Sequence, residues 1–349
     1  MDVVEKGYLR VIADILSRLT PAHFCPQNER ALRLRLMKLT LRLVGIETSS
    51  YCNRRCAHCP NLFLDRHSFD DHLDESVFLK LIRELREIDF NGMIALQHYN
   101  EPTANREELI RRIFQARLCL PKATLHCSSN GDYLDHDYLS ELAYAGLNKL
   151  LISLYVPVEV IKDEKAVRGC LKKAMARFGM PLQEDFPGAT HSFQIKDMEV
   201  TVRVKDFSTD PVSWDRGGLL KNIGSNVERT SPCTRPFSHL TIEYNGNVML
   251  CCNTRSDAPE HQEFILGNVS QNELNEIYFS SKSLHYKSVL STFSSQLISP
   301  CNSCNLGLVT ASEENKEYLT NRTLTNFVQI QKLKKQLNLY KKNETAKSQ

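Results

Sequence analysis

Cys52, Cys56 and Cys59 stand in a C-x3-C-x2-C spacing, within Cys52-Asn53-Arg54-Arg55-Cys56-Ala57-His58-Cys59. With 12 cysteines in 349 residues, composition alone yields this spacing in about one chain in seventy, so chance accounts for it poorly. Thiolates ligate soft metal centres, iron–sulfur clusters and zinc among them. A cubane cluster has four irons, and three thiolates leave one of them open. An open coordination position is where a metal does chemistry, and a molecule offering an amino and a carboxylate group could chelate it. Zinc is the alternative, drawing a fourth ligand from His58 or His67.

A second group lies toward the other end of the chain. Cys233-x12-Gly246-x4-Cys251 is followed about fifty residues later by Cys301-x2-Cys304. Four thiolates close a cluster completely, which suits electron transfer or structural support rather than substrate chelation. A hairpin clamped by a distant C-x2-C is also how zinc ribbons work, so thiol count leaves zinc and iron–sulfur comparable. Cys252 is the adjacent rival of Cys251. Cys25, Cys119, Cys127 and Cys170 fit neither pattern and read as buried structural thiols.

These groups need elements to position them. Residues 1–42 read as helical, interrupted at Pro21 and Pro26, and form a lid or packing extension. Strands are expected at Leu43–Thr48, Met93–Gln97, Ala123–Ser128, Lys149–Leu154 and Met198–Val204. Helices are expected near Glu75–Ile88, Arg106–Leu118, Tyr138–Ala145 and Lys165–Arg177. Strand and helix alternate through short connections, the pattern of a parallel α/β core; periodicity does not separate an open sheet from a barrel. The three-cysteine motif falls in the first strand–helix connection. After Cys233 the rhythm changes. His239–Tyr244 and Asn247–Leu250 flank Asn245-Gly246, a two-residue hairpin signal that points to a small second domain. Residues 271–291 read as helical, and Phe327, Ile330, Leu333, Leu337 and Tyr340 form an apolar stripe on a terminal helix.

Bulk properties narrow the partners. The 44 basic and 41 acidic residues leave a net charge of +3, which gives no electrostatic case for nucleic acid or a membrane surface. No apolar run reaches the roughly 18–20 residues that span a bilayer. Asp2 and Glu5 interrupt any secretion signal, so a cytoplasmic protein with reduced thiols is expected.

The three-cysteine motif, with the ring of His58 before its last cysteine, resembles the signature of the radical S-adenosylmethionine (SAM) superfamily. The resemblance extends over roughly 43–204. It implies a partial (β/α)6-type barrel and a SAM-binding [4Fe-4S] cluster on Cys52, Cys56 and Cys59, whose reaction with SAM yields methionine and a 5′-deoxyadenosyl radical. Tyr99-Asn100-Glu101-Pro102 resembles the family's Gly-Glu-Pro-type motif, which implies SAM contacts at Tyr99, Asn100 and Glu101. Ser128-Ser129-Asn130-Gly131 resembles its Thr-Asn-Gly stretch. Ser153 and Arg168 stand where relatives meet the SAM ribose or carboxylate, and Val200–Val204 where they meet adenine. The second group resembles the twitch domain, a shortened SPASM domain of α+β type. This implies one auxiliary [4Fe-4S] cluster on Cys233, Cys251, Cys301 and Cys304, and no further cysteine follows to hold another. Trp214-Asp215-Arg216-Gly217-Gly218 resembles the Asn-Arg-(Ala/Gly)-Gly stretch of relatives and makes Arg216 the candidate residue on substrate. The implied organisation is a helical extension (1–42), a radical SAM core (43–220), a twitch domain (221–310) and a helical tail (311–349).

The resemblance implies hydrogen abstraction from a small polar molecule, ending in oxidation or epimerisation, with the auxiliary cluster taking an electron. One-cluster relatives include the butirosin-type aminoglycoside dehydrogenases. The rival readings are a maturase of ribosomal peptides and a non-catalytic zinc or iron–sulfur binding protein. The expected partners are the substrate and an external electron donor such as flavodoxin or ferredoxin.

Overall fold

The computed structural model describes residues 3–156, 158–182, 189–205, 215–220, 228–293, 297–310 and 312–319. The stripe at 327–340 and Trp214 lie outside these residues. The elements in chain order are helix α1 (Val3–Arg18), α2 (Arg30–Thr40), strand β1 (Leu43–Ile46), α3 (Glu75–Glu87), β2 (Met93–Ala95), α4 (Arg106–Cys119), β3 (Thr124–Ser129), α5 (His136–Ala145) and β4 (Lys149–Tyr155). Then follow α6 (Val158–Lys162), α7 (Glu164–Arg177), β5 (Thr190–Ile195), β6 (Met198–Lys205), α8 (Arg235–Ser238), β7 (His239–Ile242), β8 (Asn247–Met249), β9 (Ile265–Asn268), α9 (Leu274–Tyr278) and α10 (Ser281–Leu290).

The nine strands form one sheet in the order β5-β6-β4-β3-β2-β1-β7-β8-β9. Every pair from β6 to β7 is parallel, while β5, β8 and β9 are antiparallel additions at the two ends. A sheet with two ends is an open, partial barrel. The core follows from sequence periods. On α3, Phe78, Leu81, Ile82 and Leu85 recur at helical spacing and are fully buried. The Asp74 carboxylate starts that helix by accepting the Ser76 and Val77 N–H groups. On β6, Val200, Val202 and Val204 alternate into the core.

Three features differ from the sequence expectation. Strand β5 was not expected; it pairs with β6 through a turn at Lys196, which takes φ +53° and lacks the glycine that usually marks a hairpin. The hairpin of β7 and β8 does not stand apart from the core sheet, because β7 pairs with β1 in register from Leu43–His239 to Ile46–Ile242. Its turn is also longer than two residues. Gly246 N–H donates to Glu243 C=O at 2.8 Å, and Gly246 takes φ +81° at the bulge position. The stretch 271–291 divides into α9 and α10 because Ser280 caps a new helix, its hydroxyl accepting Ser283 N–H.

The N-terminal extension packs onto the C-terminal part of the chain. Leu9, Ile12 and Leu16 of α1 share a second core with Phe237, Val309 and Leu319. Arg30 of α2 pairs with Glu87 and Glu273. Between β1 and β2 the backbones approach closely at Gly92, where a Cβ would lie 2.2 Å from Arg42 C=O. Gly92→Ala should therefore destabilise the fold by about 1–3 kcal/mol, although alanine is ordinarily the stiffer and safer residue. Chemical denaturation of the two proteins measures the difference.

Candidate active site

The loop after β1 is tied down on both sides of its cysteines. Cys52 N–H donates to Arg66 C=O, Cys59 N–H to Cys56 C=O, and Glu101 N–H to Tyr51 C=O. A latch joins it to the loop after β3. Arg54 grips the Asp132 carboxylate, Asn53 donates to the same group at 2.8 Å, and Asn130 donates to Asn53 at 2.8 Å. Cys52, Cys56 and Cys59 thereby line one cavity of about 710 Å³, part of it open to solvent. Burial chiefly, with a smaller contribution from neighbouring negative groups, pushes the Cys52 thiol up to about 11 and the Cys56 thiol up to about 12. Gathered, half-buried thiols of this kind carry negative charge most readily opposite a cation, so the donor set fits a metal–sulfur centre.

The other walls come from the C-terminal ends of the parallel strands, where open α/β sheets bind ligands. Asn100 and Glu101 follow β2, Ser129 ends β3, Ser153 lies on β4 and Arg203 on β6. Glu101 is 3% exposed and accepts four hydrogen bonds, from Thr103 N–H and hydroxyl, Ser129 hydroxyl and Asn130 N–H. Burial raises its carboxyl pKa despite them. Glu101 thus fixes the loops of two strands while facing the cavity. The Ser153 hydroxyl accepts from Arg203 Nε at 2.8 Å, its register partner.

Three expectations need correction. Arg168 is exposed on α7, because Val167, Leu171, Ala174 and Met175 turn the other face of that helix inward. The arginine that reaches the cavity is Arg203, and its signal was a cation alternating with the valines of its strand. Val200, Val202 and Val204 face the core rather than the cavity, since strand alternation sends Arg203 to the opposite side. Tyr99 sits behind the wall. Its N–H donates to Glu47 Oε1, its C=O accepts from Asn61, and its ring lies between His98 and Arg255. Arg216 does line the cavity, held at φ +52° ahead of Gly217 and Gly218, both also at positive φ. Such strain in a non-glycine residue is maintained where surroundings over-determine it. Here Asp215 accepts Gly217 N–H, and Gly217 C=O meets His261 Nε2 at 2.8 Å.

Cys233, Cys251, Cys301 and Cys304 meet in a second cavity of about 360 Å³, walled by Leu250, Leu290 and Leu306. Burial pushes the Cys301 thiol up to about 12 and raises those of Cys251 and Cys304. Arg229 straps the surrounding loops together through Ser231, Pro232, Cys304 and Leu306 carbonyls. The four-thiol set in an apolar shell fits a closed cluster. Cys252 does not line it; its carbonyl accepts from His98 Nε2 at 3.0 Å, and its sulfur lies 3.6 Å from Arg235. Of the other thiols, Cys127 is buried and Cys25, Cys119 and Cys170 are only half-buried.

Residues 46–180 match the model of the radical SAM superfamily, and residues 233–305 match SPASM, an iron–sulfur cluster-binding domain. Residues 46–180 thus form a radical SAM domain, which implies SAM and a [4Fe-4S] cluster, and residues 233–305 a SPASM domain, which implies auxiliary iron–sulfur. It is 22% identical over 277 residues to the S-adenosyl-L-methionine-dependent 2-deoxy-scyllo-inosamine dehydrogenase of Niallia circulans, covering 79% of this chain and 97% of the relative. Its fold is similar to the crystal structure of BtrN in complex with AdoMet and 2-DOIA, with TM-score 0.57, 22% identity, and 79% and 97% of the two chains covered. It is also similar to selenomethionine BtrN in an open conformation, with TM-score 0.50, 18% identity, and 76% and 92% covered. Among the described residues, no helix is long and apolar enough to cross a membrane.

Two predictions follow from this geometry. Cys251→Ala should lower the iron of the anaerobically loaded protein from about eight to about four per chain, whereas Cys252→Ala should keep it near eight. Iron analysis with visible spectroscopy distinguishes them. Arg203→Ala should raise the KM for SAM by about tenfold, and Arg168→Ala should leave it within about twofold, as measured by 5′-deoxyadenosine formation.

Proposed function

We propose that this enzyme oxidises an alcohol carbon of a small, polar, hydroxylated molecule to a ketone. Cys52, Cys56 and Cys59 would hold the SAM-binding cluster, and Cys233, Cys251, Cys301 and Cys304 a single auxiliary [4Fe-4S] cluster. When bound, these groups supply a 5′-deoxyadenosyl radical that takes one hydrogen atom from the carbon, and an acceptor for the one electron that remains. The hydroxyl proton leaves to solvent or a base, which completes the two-electron oxidation.

The chain's own residues supply binding and aim. Asn100, Glu101, Ser153 and Arg203 frame the SAM end of the cavity, and Arg216 faces the space left for substrate. The observation that carries the oxidation reading is the cysteine inventory. All twelve cysteines lie among the described residues, and only Cys52, Cys56 and Cys59 line the first cavity. Epimerisation needs a hydrogen donor to the substrate radical, and no spare thiol stands there to serve. The relative from Niallia circulans, a dehydrogenase of 2-deoxy-scyllo-inosamine, supports a cyclic amino alcohol as the substrate class. An external flavodoxin or ferredoxin would provide the first electron, and the free thiols suit a reducing cytoplasm.

Incubating the reduced enzyme with SAM and 2-deoxy-scyllo-inosamine should give ketone and 5′-deoxyadenosine in equal amounts. The same reaction in D2O should place no solvent deuterium on carbon of recovered substrate. Deuterium at an inverted carbon would show epimerisation and sink the reading.

A further inference from the structure

The parallel pairing of β7, β1 and β2 brings three side chains together at the ends of those strands. Glu47 follows β1, Glu243 follows β7 in the same register, and His98 follows β2 by three residues. The side chains of Glu47 and Glu243 are 0% exposed and that of His98 is 4% exposed. One donor atom from each lies within 4.8 Å of the others. Two buried carboxylates in neighbouring strand positions repel each other unless a cation intervenes. For Glu47 the cation is Arg66, whose Nη1 lies 3.3 Å from Oε1. Glu243 has no such arginine among its contacts; its Oε2 accepts Ser256 N–H, and its Oε1 has no hydrogen-bond partner.

His98 sharpens the problem. Its Nε2 lies 3.0 Å from Cys252 C=O, which can only accept, so Nε2 carries the proton. In the neutral ring Nδ1 then presents a lone pair, and it lies 3.4 Å from Glu243 Oε1 without a hydrogen bond to it. Glu47 Oε2, on the remaining side, is unpartnered as well. Glu47 Oε2, His98 Nδ1 and Glu243 Oε1 are thus all buried without a hydrogen bond, on three residues that each bring a donor atom within 4.8 Å of the others. The surrounding charge has the same sense. Glu47, Glu243 and Asp257 are opposed by two guanidiniums, Arg66 and Arg255, one positive charge short.

We propose that Glu47 Oε2, His98 Nδ1 and Glu243 Oε1 bind a divalent cation distinct from the clusters. Two carboxylate oxygens and one imidazole nitrogen, with no thiolate, suit a hard or borderline ion of the Mg²⁺, Mn²⁺ or Zn²⁺ class rather than iron–sulfur. The ion pins the loop after β2 to the sheet. Glu47 already holds that loop through Tyr99 N–H at 2.9 Å, and Asn100 and Glu101 follow directly. The inference rests on these donor atoms alone and stands whichever product the enzyme makes.

The test uses the cluster-loaded enzyme in its oxidised state, titrated with MnCl2 while the signal of free Mn²⁺ is followed by electron paramagnetic resonance. Wild type should remove about one Mn²⁺ per chain, and Glu243→Gln or His98→Gln should weaken binding by about ten- to a hundredfold with cluster absorbance unchanged. Should Glu243→Gln fail to fold, His98→Gln and Glu47→Gln decide. Wild type that leaves all Mn²⁺ free at millimolar concentration overturns the proposal. Variants that bind like wild type overturn it equally, as an adventitious ion only.

Discussion

The parallel ladder between β1 and β7 ties the two halves of the molecule into one sheet. The first cysteine group leaves the sheet after β1, and the second begins with Cys233, ahead of β7. Their separation is therefore set by backbone hydrogen bonds rather than by a linker. The interfaces of linked domains are ordinarily small and mobile, but here relative movement would cost ladder bonds and the buried residues Val44, Ile46, Leu240 and Ile242. An enzyme that moves an electron between two sites gains from such fixity, because the path length cannot drift.

The ladder has an electrostatic consequence. Continuing the register past Ile46 and Ile242 puts Glu47 beside Glu243, and the structure meets this with Arg66, Arg255 and Asp257, all on segments outside the strands. Buried ion pairs add little net stability, since desolvation offsets attraction. Their effect here is positional. Arg66 links the segment after the first cysteine motif to the return segment after Cys252, and Arg255 donates to Asn61 and lies over the ring of Tyr99. Removing one partner would leave an unmatched charge behind the wall of the active cavity, which couples the loops more tightly than the pairs' net energy suggests.

Which parts were legible in the sequence follows from how local each signal is. The cysteine spacings were readable because ligation demands one residue type at short, fixed intervals, and the members of each group line one cavity. The parallel core was readable because each βα unit declares itself within about thirty residues. Register and facing were not. Nothing near Arg168 states that Val167 and Leu171 turn inward, and nothing near Arg203 states that its face of β6 opens on the cavity. Tyr99 was placed at the ligand by motif analogy, but its backbone groups serve Glu47 and Asn61, contacts from 38 to 52 residues away. The joining of β7 to β1 spans most of the chain and has no local trace at all.

Cys251 and Cys252 show how adjacent, chemically identical residues divide between roles. The chain turns sharply after β8, with Thr254 N–H and hydroxyl both bonded to Cys251 C=O. That turn sends the Cys251 sulfur into the apolar cavity with Cys233, Cys301 and Cys304. It also aims the Cys252 carbonyl at His98 Nε2, and His98 lines the other cavity. The two sites are thereby connected through one peptide unit and one hydrogen bond. In this arrangement Cys252 contributes its backbone to one cavity and its sulfur to Arg235, whereas the Cys251 sulfur faces the other three thiols of the second cavity.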